Sequence, residues 1–190
     1  MPSYEASIPT TLPASAKAPT SWQEAYRDYA QTVTRWVWHL GGPDIEVEDA
    51  VQEIFLVVSR RFASFRGEAR FKTWLYSITR KVVANHRSRH RWRFWLLGKD
   101  TDTLAQIPST LPDPLTHLEQ EQARAIFHRI LRALPEKYQS VLVLFELEEM
   151  STQEVADLCG CSVAAVSVRL HRARKMFFER YARFLKEHSR

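Results

Sequence analysis

The chain of 190 residues is expected to be all-α, with two small helical domains joined by a flexible linker and a helix-turn-helix in the C-terminal domain. Three observations lead there. Apolar residues recur at helical spacing, and no stretch alternates like a half-buried strand. Prolines gather at the start of the chain and again at Pro108, Pro112 and Pro114, marking two segments that cannot be regular helix. Charge is segregated: residues 44–53 and 146–157 each carry five acids and no Lys or Arg. Each acidic stretch is followed by a basic block. Eleven Lys or Arg stand against Glu68 over 60–93, and seven against Glu179 over 169–186.

Residues 1–20 hold four of the nine prolines among Ser, Thr and Ala, and are expected to be a disordered tail. The first domain is placed at 21–97. Its first helix follows Tyr26, Tyr29, Val33, Trp36 and Val37 from about Trp22 to Leu40, and Gly41-Gly42-Pro43 stops it. A second helix starts at Asp44 or Glu46, where acids suit the positive end of the helix dipole; its apolar positions are Ile45, Val47, Val51, Ile54, Phe55 and Val58. Ser64 to Ala69 is a loop. A long third helix then sets Phe71, Trp74, Leu75, Ile78 and Val82 on one face, and Lys72, Tyr76, Arg80, Arg87 and Arg91 on the other. An apolar stripe backed by a basic one, after an Arg-Gly loop, suits a partner made of phosphates and bases. A solvated basic helix carries the same charge pattern.

Residues 98–117, with their prolines and Asp100, Asp102 and Asp113, read as an acidic linker. The second domain, 118–190, opens with a helix over Leu118 to Ala133 and another after Pro135, a favourable first-turn proline. Ser151-Thr-Gln-Glu154 is a capping box, and Gly160 supplies the positive φ that ends the short helix it begins. Ser162 caps a further helix with Val163, Val166, Leu170, Ala173 and Phe177 inward. Its outward face is Ala164, Ala165, Val168, His171, Arg172 and Lys175: small residues where DNA would approach, then donors for base edges or phosphates. An ordinary helical hairpin would have no need of this combination.

Other chemistries find little support. A formal charge of +5 favours a polyanionic partner or an anionic membrane surface without choosing between them. No membrane span and no signal peptide is visible, and two cysteines give no disulfide framework, so the cytoplasm is the expected compartment. Cys159 and Cys161 lack the further ligands a structural zinc requires. No Gly-rich phosphate loop, Ser-His-Asp set or paired-carboxylate cleft is present. The chain is therefore expected not to be an enzyme, with no cofactor, no metal and no small-molecule substrate.

The motif sets EDAVQEIFLVVSRRF (Glu48 to Phe62) and FRGEARFKTWLYSITR (Phe65 to Arg80) resemble region two of the sigma-70 family. LPEKYQSVLVLFELEEMSTQEVADLCGCSVAAVSVRLHRARK (Leu134 to Lys175) resembles region four. Both sets, in this order, resemble the extracytoplasmic-function group of bacterial sigma factors. The resemblance implies a dissociable subunit that binds core RNA polymerase and directs recognition and opening of promoter DNA for a stress or envelope-type regulon. It assigns Asp49, Gln52, Glu53, Phe55 and Leu56 to the polymerase clamp. Phe65, with Arg66, Gly67 and Glu68, is assigned to capture of a base flipped from the minus-ten element, and Lys81 to reading that element, beside which the basic face of Lys72, Tyr76, Arg80, Arg87 and Arg91 is expected to hold the surrounding DNA. Ser162, Ala164, Ala165, Ser167, Val168, His171, Arg172 and Lys175 fall to the minus-thirty-five element. An anti-sigma factor, often membrane-anchored in the family, is an implied partner.

Two departures bear on promoter choice. Lys81 stands where relatives commonly have asparagine, and Ser167-Val168 where a basic residue followed by serine is common. Both imply different promoter bases. Trp92 to Leu97 either packs back on the first domain or docks an inhibitor. A stand-alone helix-turn-helix regulator of duplex DNA is the alternative function, and an RNA-binding or interaction protein a third.

Overall fold

The computed structural model describes residues 18–43, 45–65, 70–97 and 114–188, which form seven α-helices with no strand among them. α1 spans Trp22–Gly41, α2 Val47–Arg61, α3 Phe71–Leu97, α4 Pro114–Arg132, α5 Glu136–Leu142, α6 Thr152–Cys159 and α7 Val163–His188. Residues 1–17 of the expected tail over 1–20 and residues 98–113 of the expected linker over 98–117 lie outside the described residues, as does Asp44.

Local chemistry sets the helix ends. Ser21 caps α1 by accepting from the Glu24 amide at 3.2 Å, and Gly42 ends it at φ +71°, its N–H donating to the Trp38 carbonyl at 2.9 Å. Acids at Glu48 and Asp49 open α2, and Arg60 and Arg61 close it, each sign matching its end of the dipole. α4 begins at Pro114, four residues ahead of the expected Leu118. A proline's missing N–H costs nothing in a first turn, so Pro114 starts the helix where it was expected to forbid one. After α5 the chain widens into a π turn over Val143–Leu147, and Glu149 takes a left-handed φ of +51° before the Ser151 cap. Neither feature has a signature in side-chain spacing.

α1, α2 and α3 pack together as the first half, and α5, α6 and α7, with α4 against α7, as the second. The halves also pack on each other: α3 lies against α6, and α1 against α4 and the π turn. Buried residues of both halves, from Trp36 and Leu75 to Leu131 and Val141, form one continuous core. α3 is therefore covered on two sides. Phe71, Leu75, Ile78 and Val82 are buried as the apolar stripe predicts, and so are Tyr76, Thr79 and Val83.

Polar contacts stitch the seam. Arg35 meets Glu148 at 3.2 Å, Thr73 donates to the Asp157 carbonyl at 3.3 Å, and Arg70 pairs with Asp157 at 3.1 Å. The buried Gln139 carboxamide donates to the Leu40 carbonyl at 3.0 Å and accepts from Arg87 at 2.9 Å.

Candidate nucleic-acid and partner interfaces

The helix-turn-helix is built as the residues dictate. The Ser151 hydroxyl accepts from the Glu154 amide at 3.3 Å while the Glu154 carboxylate accepts from the Ser151 amide at 2.9 Å. The hydrogen bond from the Ser151 hydroxyl, and then that from its amide, hold the Glu154 carboxyl below its ordinary pKa. Gly160 sits at φ +61°, ψ +45°, and Ser162 caps α7 by accepting from the Ala165 amide at 3.2 Å. Val166, Leu170 and Ala173 are buried behind α7, whereas Ala164, Ser167, Val168, His171, Arg172 and Lys175 are exposed and Ala165 half-exposed. Lys137, Tyr138 and Arg169 line the same shallow groove as Ala164, Ala165, Val168 and Arg172. A hydrogen bond to Arg172 is the main cause lowering the Tyr138 pKa. Sequence reasoning omitted these three residues. Lys137 and Tyr138 reach the groove from the first turn of α5, which helical counting along α7 cannot reveal.

On α2, Asp49, Gln52 and Leu56 face solvent, Leu56 at 55% exposure. Glu53 is half-buried and held by His86 at 2.9 Å and Arg89 at 3.3 Å, so it is tied to α3. Phe55, which the resemblance assigns to the clamp, is not on the exposed face. It is 5% exposed, under the edge of Tyr26 at 4.8 Å, because its position falls on the core side of the helix with Ile54 and Val58. Phe55 supports this face from beneath. Exposed Tyr26 on α1 adds aromatic surface beside it.

Phe65 is half-buried in an aromatic cluster, 5.4 Å from Phe71 and 5.2 Å from Trp74. Arg66, Gly67 and Glu68 lie outside the described residues. Lys81 is exposed; of the basic stripe on α3, Lys72 is half-buried, and burial lowers its pKa. Arg91 lies on the helix, its side chain outside the described residues.

The rest of that stripe is engaged by the second half. Arg80 makes two contacts with Glu136, at 2.8 and 2.6 Å, and Arg87 donates to Gln139 and, at 3.1 Å, to the Arg132 carbonyl. Tyr76 is fully buried, 4.9 Å edge-on to Trp36, so in this arrangement it cannot line a DNA surface. Its position continues the buried stripe of Thr79 and Val83.

Cys159 is half-buried, and burial pushes its thiol pKa up to about 11. Among the described residues no cluster of His, Cys, Asp or Glu is placed to hold a metal ion, and no helix is long and apolar enough to cross a membrane.

Residues 25–93 match the family model for Sigma-70 region 2, and residues 124–177 that for Sigma-70, region 4. The RNA polymerase sigma factor YlaC of Bacillus subtilis is 30% identical over 155 residues, covering 81% of this chain and 88% of that protein. The ECF RNA polymerase sigma-E factor of Escherichia coli is 31% identical over 151 residues, covering 77% and 76%. Among solved structures, sigma factor RpoE in complex with anti-sigma factor NepR from Bartonella quintana superposes with a TM-score of 0.57 at 21% identity. It covers 83% of this chain and 94% of that one, a likeness of fold.

Proposed function

The chain belongs to the sigma-70 family, in its extracytoplasmic-function group, and from that premise we propose how its surfaces divide the work of promoter recognition and opening. Membership sets aside the stand-alone helix-turn-helix regulator. The exposed face of α2, Asp49, Gln52 and Leu56, docks on the clamp of core RNA polymerase, with Glu53 and the buried Phe55 fixing its shape. An acidic and apolar surface suits a partner helix pair and repels DNA.

The outward face of α7 reads the minus-thirty-five element in duplex form. Ala164 and Ala165 permit close approach, and His171 and Arg172 supply donors. The Phe65 cluster receives a base flipped from the minus-ten element. Stacking on an aromatic ring is worth about 1–3 kcal/mol per base, the same order as the cost of unpairing. Opening then follows from selective binding of the unpaired strand and consumes no ATP.

The observation that carries this reading is the pairing, in one chain, of an exposed acidic-apolar helix with a capped helix-turn-helix whose outer face is small and basic. In the described arrangement the second half holds Arg80 and Arg87, so the promoter-reading form has the halves apart. Such a form is open to control by an anti-sigma factor, of the kind bound to the solved relative. The chain acts where polymerase acts, in the cytoplasm.

Purified chain mixed with core polymerase and a promoter library tests the reading. Run-off transcripts that need both components, with start sites sharing two upstream elements, support it. Tight duplex binding by the chain alone, without polymerase-dependent transcripts, overturns it.

A further inference from the structure

The seam between the halves contains a cluster of titratable groups that promoter recognition does not use. His39 lies near the end of α1 and His128 near the end of α4, their rings 17° from parallel with centroids 6.5 Å apart. His128 is buried and His39 half-buried, and Nδ1 of each is shielded from solvent without a hydrogen-bond partner. The Trp38 ring stands edge-on to His128 at 5.6 Å and removes more water from the site.

Charged groups face the pair from each packed element. α1 contributes Arg35. α4 contributes Arg132, whose Nε donates to the His128 carbonyl at 3.4 Å. Glu148 follows the π turn, and Lys72 acts on it from α3. The Glu148 carboxylate is already engaged by Arg35 at 3.2 Å, and its other oxygen lies 3.7 Å from His39 Nε2. With Arg35 beside His39, Arg132 against the His128 backbone and the one carboxylate already occupied, little negative charge is left to compensate an imidazolium. Two imidazoliums at this separation would also repel each other.

We propose that the His39–His128 pair makes closure of the two halves proton-sensitive: neutral imidazoles hold the seam shut, and charging either one frees the basic face of α3. Closure itself is independent of the promoter reading; only the consequence of opening rests on it.

The direction follows from proton linkage. Burial first, then the His128 and Arg35 charges, lowers the His39 pKa to about 4, and burial lowers that of His128. In the open form both rings are hydrated and titrate near the ordinary value of about 6.5. Between those values the open form binds more protons, so the closed form loses stability as pH falls through about 6.5, and the loss is complete below about 4. From pH 7.5 to 5.5, His39 alone raises the ratio of open to closed by about tenfold, and His128 acts in the same direction.

Small-angle X-ray scattering of the full chain, without DNA or polymerase, tests this. The wild type is expected to expand between pH 7.5 and 5.5, and His39→Gln/His128→Gln to keep its dimensions. Equal expansion of both, or no expansion of the wild type, overturns the proposal. Histidine ring NMR of the wild type decides the matter even where the double variant folds poorly. Two of the seven imidazoles titrating well below the ordinary range support the proposal, and all seven titrating normally overturn it. Absence of transcripts at every pH would instead count against the promoter reading and leave this transition standing.

Discussion

Gln139 offers the sharpest perturbation of the closed arrangement. Its side chain is 1% exposed, donates to the Leu40 carbonyl at 3.0 Å and accepts from Arg87 at 2.9 Å. Gln139→Leu keeps the volume and removes both partners. A buried carbonyl left unpaired costs about 1–3 kcal/mol, and a hydrogen bond to a charged group contributes about 1.5–3 kcal/mol. Arg87 retains its bond to the Arg132 carbonyl, which offsets part of the loss. The net cost is about 2–4 kcal/mol. When the halves separate, the Leu40 carbonyl and Arg87 are hydrated, so the cost falls on the closed form. The ratio of open to closed should rise between about 30- and 700-fold at tenfold per 1.4 kcal/mol. Scattering at pH 7.5 should show expansion with helical circular dichroism retained, and thermal unfolding should begin earlier. Unchanged scattering together with an unchanged midpoint would refute the argument that these two bonds hold the seam.

Other expectations concern the interfaces. His171→Ala or Arg172→Ala should weaken binding of the holoenzyme to upstream duplex by about 1–3 kcal/mol where the contact is to a base, measured by competition with altered minus-thirty-five sequences. Phe65→Ala should leave the closed promoter complex intact and reduce permanganate reactivity of the bubble; normal reactivity would remove Phe65 from base capture. Leu56→Glu, at an exposed position, should abolish co-elution with core polymerase without lowering the melting temperature, and continued co-elution would displace the interface from α2. Ser151→Ala should cost about 1 kcal/mol through loss of the cap. Because the Glu154 pKa is held low in the folded chain, its contribution is present above the ordinary carboxylate range and lost as pH falls through the folded value. In Ser151→Ala that part of the acid sensitivity should shrink, as read from melting temperature against pH.

What could be read from the chain was local. The capping box, the left-handed Gly160, the Gly42 stop and the inward stripe of α2 follow from spacings of four residues or fewer, and the structure contains each of them. The stripe of α7 is present from Val166 on, whereas Val163, in the first turn where the neighbouring helix no longer covers it, is exposed. What could not be read was the seam. Arg80 meets Glu136 across 56 residues, Arg87 meets Gln139 across 52, and Arg35 meets Glu148 across 113. Periodicity cannot pair such positions. For the same reason Tyr76 counted as part of a basic face, when a second packed surface of α3 claims it along with Thr79 and Val83. Phe55 lies on the core side of α2, as its place among the apolar positions implies, while the Tyr26 ring that covers it comes from another helix and has no signature in the spacing. The His86–Glu53 pair, 33 residues apart, joins α3 to α2 in the same way.

The most direct measurement places a photocrosslinking phenylalanine analogue at position 65 and maps its adducts in the open promoter complex. Adducts to an unpaired nontemplate nucleotide in the upstream part of the bubble, absent from the closed complex, are predicted. Adducts confined to duplex DNA, or none in a complex that transcribes, would contradict the assignment of strand capture to the N-terminal half.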